Sequence, residues 1–220
     1  MAKLHLPEGA DDILRRVQEA LPQRESNKLL VYGLQDVVHY EGIEGLCHTA
    51  AEMYASELGD DYEEANFIVP APRTGRLCGK DVQEVLNMHI ASIEILANCN
   101  YCEEENGNAI FPFAFVVIES PQWRRHGVTV VLLDNTFDPD DDLNDRPPEG
   151  CWWVDECETS VMALGGLCYD VVMEQDDWHN IKERQGRPTA REGSASYVST
   201  RSRSWSPSNI TSEMRTWGFG

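Results

Sequence analysis

Apolar residues along the chain follow two different periods. At 43, 46, 47, 50, 53, 54 and 58 they advance in steps of three and four. That spacing lines one face of a helix over 43–58, and Gly59 supplies a stop. The same steps at 82, 85, 86, 89, 90, 93 and 96 predict a second amphipathic helix over 81–96, with Asp81 in its first turn. A shorter helix is predicted over 11–21. Asp11 and Asp12 suit the positive end of its dipole, and Pro22 ends it. Strands read differently. Residues 28–32 form a short apolar run closed by Gly33, and 66–69 form another, cut by Pro70 and Pro72. The runs 111–118 and 128–133 are nearly continuous in β-branched and aromatic residues, as central strands covered on both faces should be. The bend at 120–127 is short enough for a hairpin, and 151–154 reads as a further strand. Residues 159–167 and 169–181 read as helical, interrupted at Gly165 and Gly166.

This order places helices between the early strands and lets the late strands pair as a meander. It predicts one α+β or α/β domain over 9–185: a mixed sheet of about five strands with helices packed on it. Residues 1–8 read as a flexible N-terminus. From 186 to 220 apolar periodicity is lost to Ser, Arg, Gly, Thr and Pro, and the segment is expected to be a disordered Ser/Arg-rich tail.

Charge changes the picture. Through Gln185 the chain holds 13 Lys and Arg against 36 Asp and Glu, a balance of −23; from Arg187 onward five Arg face two Glu, a balance of +3. An acidic body of this kind repels phosphate backbones and anionic lipid and attracts cationic protein surfaces. No run of eighteen apolar residues marks a membrane span. The first residues lack the apolar core of a secretory signal, so a cytoplasmic location is expected. Seven Cys at irregular spacing then read as free, mostly buried thiols, and the sequon at Asn209 as idle.

The blocks in order carry a resemblance. They are Leu29 to Tyr32, a helix with Leu46 and Cys47, then Phe67 to Val69 leading to Leu77, Cys78, Gly79, Lys80 and Asp81. Phe113 to Val117, Val130 to Asp134, and Trp153 to Asp155 with Leu164, Tyr169 and Asp170 complete the set. Over residues 28–183 the chain resembles a family of small acidic intracellular domains of unknown function, found mainly in bacteria and also in fungi. The chain departs from that family at Met162 to Cys168, where the family has an asparagine-rich helix, and in the acidic loop at 138–149. The resemblance implies no activity and transfers no functional residue.

Several motifs carry candidate chemistry. Asp138, Asp140, Asp142 and Asn144 alternate and Glu149 falls twelfth, the ligand spacing of a calcium loop. Leu143, however, stands where the sharp turn needs Gly, and Pro147 and Pro148 block an exit helix. The stronger reading is a solvated acidic loop in which Asp138, Asp140, Asp141 and Asp142 meet a basic partner. Cys99 and Cys102 make one C-x-x-C pair, half of a zinc site, followed by three Glu that disfavour thiolates. No metal and no cofactor is expected. Asp134 follows a strand without a glycine-rich phosphate loop anywhere, and reads as a turn residue. Of the six His, His48 and His89 fall near apolar helix faces and read as packed or partly exposed rather than catalytic; a Cys47–His or Cys168–His nucleophilic pair has no local signature. Adjacent Trp152 and Trp153 on a strand must face opposite ways, so one of them is an interface anchor or is covered by a second helical layer. Trp153 is taken as the partner-facing one. Ser202, Ser204 and Ser206 lie in an arginine–serine stretch open to phosphorylation, which would turn the tail's attraction to the acidic body into repulsion.

The leading expectation is a non-enzymatic partner-binding protein, immunity- or adaptor-like, recognising a basic protein surface without direct nucleic-acid or membrane contact. The alternative is an enzyme or metal-binding protein whose site is assembled from dispersed Asp, Glu, Cys and His. A cationic cavity lined by Arg73, Arg76, Arg124 and Arg125 would count against the leading expectation.

Overall fold

The computed structural model describes residues 4–20, 26–34, 40–58, 68–71, 79, 81–98, 109–135 and 151–173. Ten elements follow in order: α1 (Ala10–Ala20), β1 (Ser26–Gly33), α2 (Tyr40–Leu58), β2 (Ile68–Pro70), α3 (Val82–Asn98), β3 (Ala109–Ile118), α4 (Trp123–His126), β4 (Val128–Asp134), β5 (Trp153–Thr159) and α5 (Val161–Met173). The strands form one five-stranded sheet in the order β2-β1-β3-β4-β5. β1 pairs in parallel with β2 and β3, while β3, β4 and β5 form the antiparallel meander that the apolar runs imply. The mixed α+β architecture is therefore as the sequence predicts. The chain divides at Gly186 and Arg187; the stretch read as a disordered tail lies outside the described residues.

Topology explains where the helices go. The chain steps outward from β1 to β2 through α2, then back past β1 to β3 through α3. Two right-handed crossovers taken in opposite directions must cover opposite faces. α2 and α5 pack together on one face, and α1 and α3 on the other. Strand alternation supplies both cores. Leu29, Val31, Ala114, Val116, Ile118 and Val130 face α2 and α5. Leu30, Tyr32, Phe113, Phe115 and Val117 are buried on the α1/α3 side. Both faces of β3 are thus covered, which is why its sequence shows no polar alternation.

The structure corrects the sequence reading at four places. Asp81 lies one residue before α3, and its carboxylate accepts the Glu84 N–H at 2.8 Å, so it caps the helix from outside. The β3–β4 bend contains a helical turn, α4. The strand expected at 151–154 begins at Trp153 and runs on to Thr159, because β4 offers a pairing partner for all seven residues. The predicted break at Gly165 and Gly166 does not occur: α5 is continuous through both. A Cβ on Gly165 would lie 2.5 Å from the Tyr54 Cβ and 3.3 Å from the Ala50 carbonyl oxygen. The missing side chain lets α5 approach α2, and that packing offsets the roughly 1 kcal/mol that a helical Gly costs.

Candidate functional site

β3 contains a proline in the middle of the sheet, and the local structure shows how it is accommodated. Pro112 has no N–H to give to a ladder. The register between β1 and β3 shifts between the pairs Lys28–Ile110 and Leu30–Phe115, so the stretch around Pro112 drops out of the β1 ladder. Pairing with β4 starts only at Ala114. The Pro112 carbonyl would then be buried without a partner, and α3 supplies one. His89 is fully buried, and its Nε2 lies 2.7 Å from the Pro112 oxygen. A carbonyl only accepts, so Nε2 carries the proton. Nδ1 is then an acceptor and takes the Tyr32 hydroxyl hydrogen at 2.9 Å. The Phe115 ring lies against His89, centroids 4.4 Å apart. Burial lowers the His89 pKa to about 4, with the Pro112 hydrogen bond opposing in part. This histidine is neutral, satisfied on both nitrogens and sealed in the core, which suits a structural role and leaves no nitrogen for substrate.

The cysteines weighed as nucleophiles are packed in the other core. Cys47 on α2 and Cys168 on α5 are buried in the cluster between those helices and the sheet. Burial pushes both thiols far up from their ordinary value, holding them protonated. Neither has the exposed, electropositive setting that a catalytic thiolate needs. His48 is exposed on α2 and sits 3.3 Å from Glu52. Among the described residues, no three His, Cys, Asp or Glu side chains come together to hold a metal.

The partner-binding residues named from sequence divide between described and undescribed parts. Asp138, Asp140, Asp141 and Asp142 lie outside the described residues, as do Cys99, Cys102, Ser202, Ser204, Ser206 and the sequon at Asn209. The stems of the acidic segment are described. Asp134 ends β4 opposite Trp153, the first residue of β5. Asn135 Nδ2 donates to Gln18 Oε1 at 3.0 Å, and the Trp152 N–H donates to Asp11 Oδ1 at 3.0 Å. Both stems are therefore tied to α1. β5 closes the sheet at this margin and carries Asp155, Glu156 and Glu158. Trp152 is buried and stacks on Phe113, with centroids 4.9 Å apart. Trp153 is half-buried and packs against the cluster beneath α2 and α5.

At the opposite end of the sheet, the β3–β4 turn is built around buried Trp123. The Arg125 and His126 N–H groups both donate to the Gln122 carbonyl, at 2.8 and 3.0 Å, and the Gly127 N–H donates to the Trp123 carbonyl at 2.9 Å. Gly127 has φ +79°, and a Cβ there would lie 2.4 Å from the Thr159 carbonyl oxygen, so only glycine closes this turn against β5. Ser120 Oγ lies 3.1 Å from His126 Nδ1 and also accepts the Gln122 N–H. This exposed Ser–His contact braces the turn. Sequence reasoning passed over it, because nothing in the spacing 120–126 distinguishes a braced turn from a loose one.

No helix among the described residues is long and apolar enough to cross a membrane. No protein-family model, curated protein or solved structure matches the chain.

Proposed function

We propose that the protein is a cytoplasmic, non-enzymatic partner-binding protein whose acidic surface recognises a basic protein surface. The observation that carries this reading is the concentration of negative charge at the β4–β5 margin. The segment 136–150 holds six acids and one Arg. It springs from two stems fixed to α1, and it leads into β5 with three further acids in seven residues. Such an edge strand resists pairing with a second copy of itself and attracts Lys- and Arg-rich surfaces. A field of this sign also opposes direct contact with nucleic acid.

The alternative, an enzyme or metal protein built from dispersed side chains, draws less support. Cys47, Cys168 and His89 are each committed to core packing.

The test compares the natural chain with one carrying D138K, D140K, D141K and D142K. Partners captured by cross-linking should be lost by the reversed chain, and their binding should weaken steeply between about 0.1 and 0.5 M salt. Capture of the same proteins by both chains, unchanged by salt, would overturn the reading.

A further inference from the structure

Exposed arginines in a chain of net charge −20 are expected to collect carboxylates. Two of them do: Arg15 lies 3.8 Å from Asp12, and Arg16 lies 2.8 Å from Glu94. Arg124 and Arg125, successive in sequence and both exposed on α4, pair with no carboxylate among the described residues. Glu119, close by in sequence, accepts the Thr129 hydroxyl. The Arg124 guanidinium instead lies 4.0 Å from the centroid of the Trp123 ring. That ring is itself fixed, buried in the core with its Cζ2 beside Gly45 of α2. Stacking occupies the face of the guanidinium and leaves its in-plane N–H donors for another acceptor. The backbone hydrogen bonds of the turn hold Arg125 and exposed His126 in the same rigid frame. This frame stands at the carboxyl ends of the parallel strands β1 and β3, where the Leu34 N–H meets the Ile118 carbonyl at 3.1 Å. There the strand order reverses, the position at which open α/β sheets collect ligands.

We propose that the Arg124–Arg125 turn is a docking point for a phosphate monoester carried on a partner protein. Magnitudes select the ligand. A single exposed Arg–carboxylate pair contributes about 0–1 kcal/mol, too little to hold a partner. A phosphate brings nearly two negative charges and three acceptor oxygens to two guanidiniums, one of them pre-oriented. The turn is exposed, so a free anion gains only these contacts, whereas a phosphorylated segment adds buried area around them. The acidic body repels at long range, but at physiological salt that field is screened over about 8 Å and the two arginines decide the outcome locally. A polyanion such as nucleic acid would extend well beyond that distance and be repelled. The proposal is independent of the acidic-surface reading, since it concerns a different turn and ligands of the opposite charge.

The experiment uses the full chain and fluorescence anisotropy. The probes are randomised peptide pools with a fixed central phosphoserine, serine or glutamate, and inorganic phosphate serves as competitor. The phosphoserine pool should bind about tenfold more tightly than either other pool, as expected for loss of charge-assisted hydrogen bonds. The R124Q/R125Q chain should lose that preference. Both residues are exposed, so its circular dichroism and melting should match the natural chain, and R15Q should bind normally. Equal binding of the three pools, or retained preference in R124Q/R125Q, would overturn the proposal. Displacement of the peptide by inorganic phosphate at the peptide's own binding concentration would also overturn it, by pointing to a free small anion.

Discussion

On the α2/α5 side of the sheet the core cluster is built from Leu, Val, Ile, Ala, Cys and aromatic side chains, and its tightest point is the bare backbone of Gly165 against Tyr54 and Ala50. On the α1/α3 side the core closes around a histidine that satisfies a proline carbonyl and a tyrosine hydroxyl. At Gly165 the first face tolerates no added atom. The second tolerates no lost hydrogen bond. Steric fit is insensitive to pH and salt, whereas a buried imidazole is a titratable group held in its neutral form. The two faces should therefore fail under different insults.

The largest effect is expected from overfilling the α2/α5 contact. Gly165→Val places branched carbons where even a Cβ lies 2.5 Å from a neighbour, and α5 must move off α2. The loss should be about 3 kcal/mol or more in urea unfolding. Gly166→Ala is the matched control, because its Cβ would meet only the Tyr54 ring edge at 3.8 Å. It should be neutral or stabilising by up to about 1 kcal/mol through helix propensity. If both substitutions behave alike, the close approach at Gly165 is not what sets this face.

The α1/α3 face is broken by removing acceptors and donors. His89→Leu removes the donor to the buried Pro112 carbonyl and the Nδ1 acceptor of the buried Tyr32 hydroxyl, and should cost about 3 kcal/mol. Tyr32→Phe removes the hydroxyl that donates to Nδ1 and should cost about 1–2 kcal/mol. In the double variant the two losses should sum to less than their separate values, since both act on one network. Additive losses in that cycle would mean that the hydroxyl and the imidazole are not coupled.

The contrast between the faces also shows what the sequence made legible. The α2, α3 and central-strand assignments came from apolar spacing, which records burial directly. Burial of His89 was readable for the same reason: position 89 falls on the apolar stripe of α3. Its role was not, because the hydrogen-bond deficit it repairs arises 23 residues away, where Pro112 interrupts a ladder. Gly165 and Gly166 read as a helix break because intrinsic propensity is local, while the contact that rescues them comes from Tyr54, more than a hundred positions earlier. Trp152, just before β5, stacks on Phe113, and Trp153 packs against the α2/α5 cluster. That both faces are covered followed only from the crossover of α2 and α3. The Arg124–Arg125 turn was legible as two basic residues in a bend, but the stacking on Trp123 and the lack of a described carboxylate partner are properties of the folded chain.

Acid separates the faces with a smaller effect. The folded pKa of His89 is depressed to about 4 from an ordinary 6.5. Between those values the unfolded chain binds a proton that the folded chain refuses. Stability from this group is therefore complete above pH 6.5 and is lost as pH falls toward 4, by about 2 kcal/mol at pH 5. Protonation of carboxylates on so acidic a chain relieves self-repulsion and acts in the opposite direction. The informative quantity is the difference in slope between the natural chain and His89→Leu. Urea midpoints from pH 7.5 to 5 should fall more steeply for the natural chain. Parallel slopes would exclude His89 as the acid-sensitive element.

The smallest effect concerns what lies over the α1/α3 face. Arg16 reaches from α1 to α3, its Nε and Nη2 at 3.1 and 2.8 Å from the same Glu94 oxygen. This is a direct ion pair between those two helices, and it sits over the core that His89 organises. Both side chains are more than half exposed, so water and salt screen the pair. A cycle of Arg16→Ala and Glu94→Ala should give a coupling of about 0.5 kcal/mol, shrinking toward zero in 1 M NaCl. The His89–Tyr32 coupling should be unmoved by the same salt, because no solvent reaches it. If salt weakened both couplings equally, the buried network would have to be more open to water than its geometry allows. If it weakened only the surface pair, the buried histidine would be the salt-insensitive tie of α3 to β1 and β3, with the ion pair as a minor outer clasp between α1 and α3.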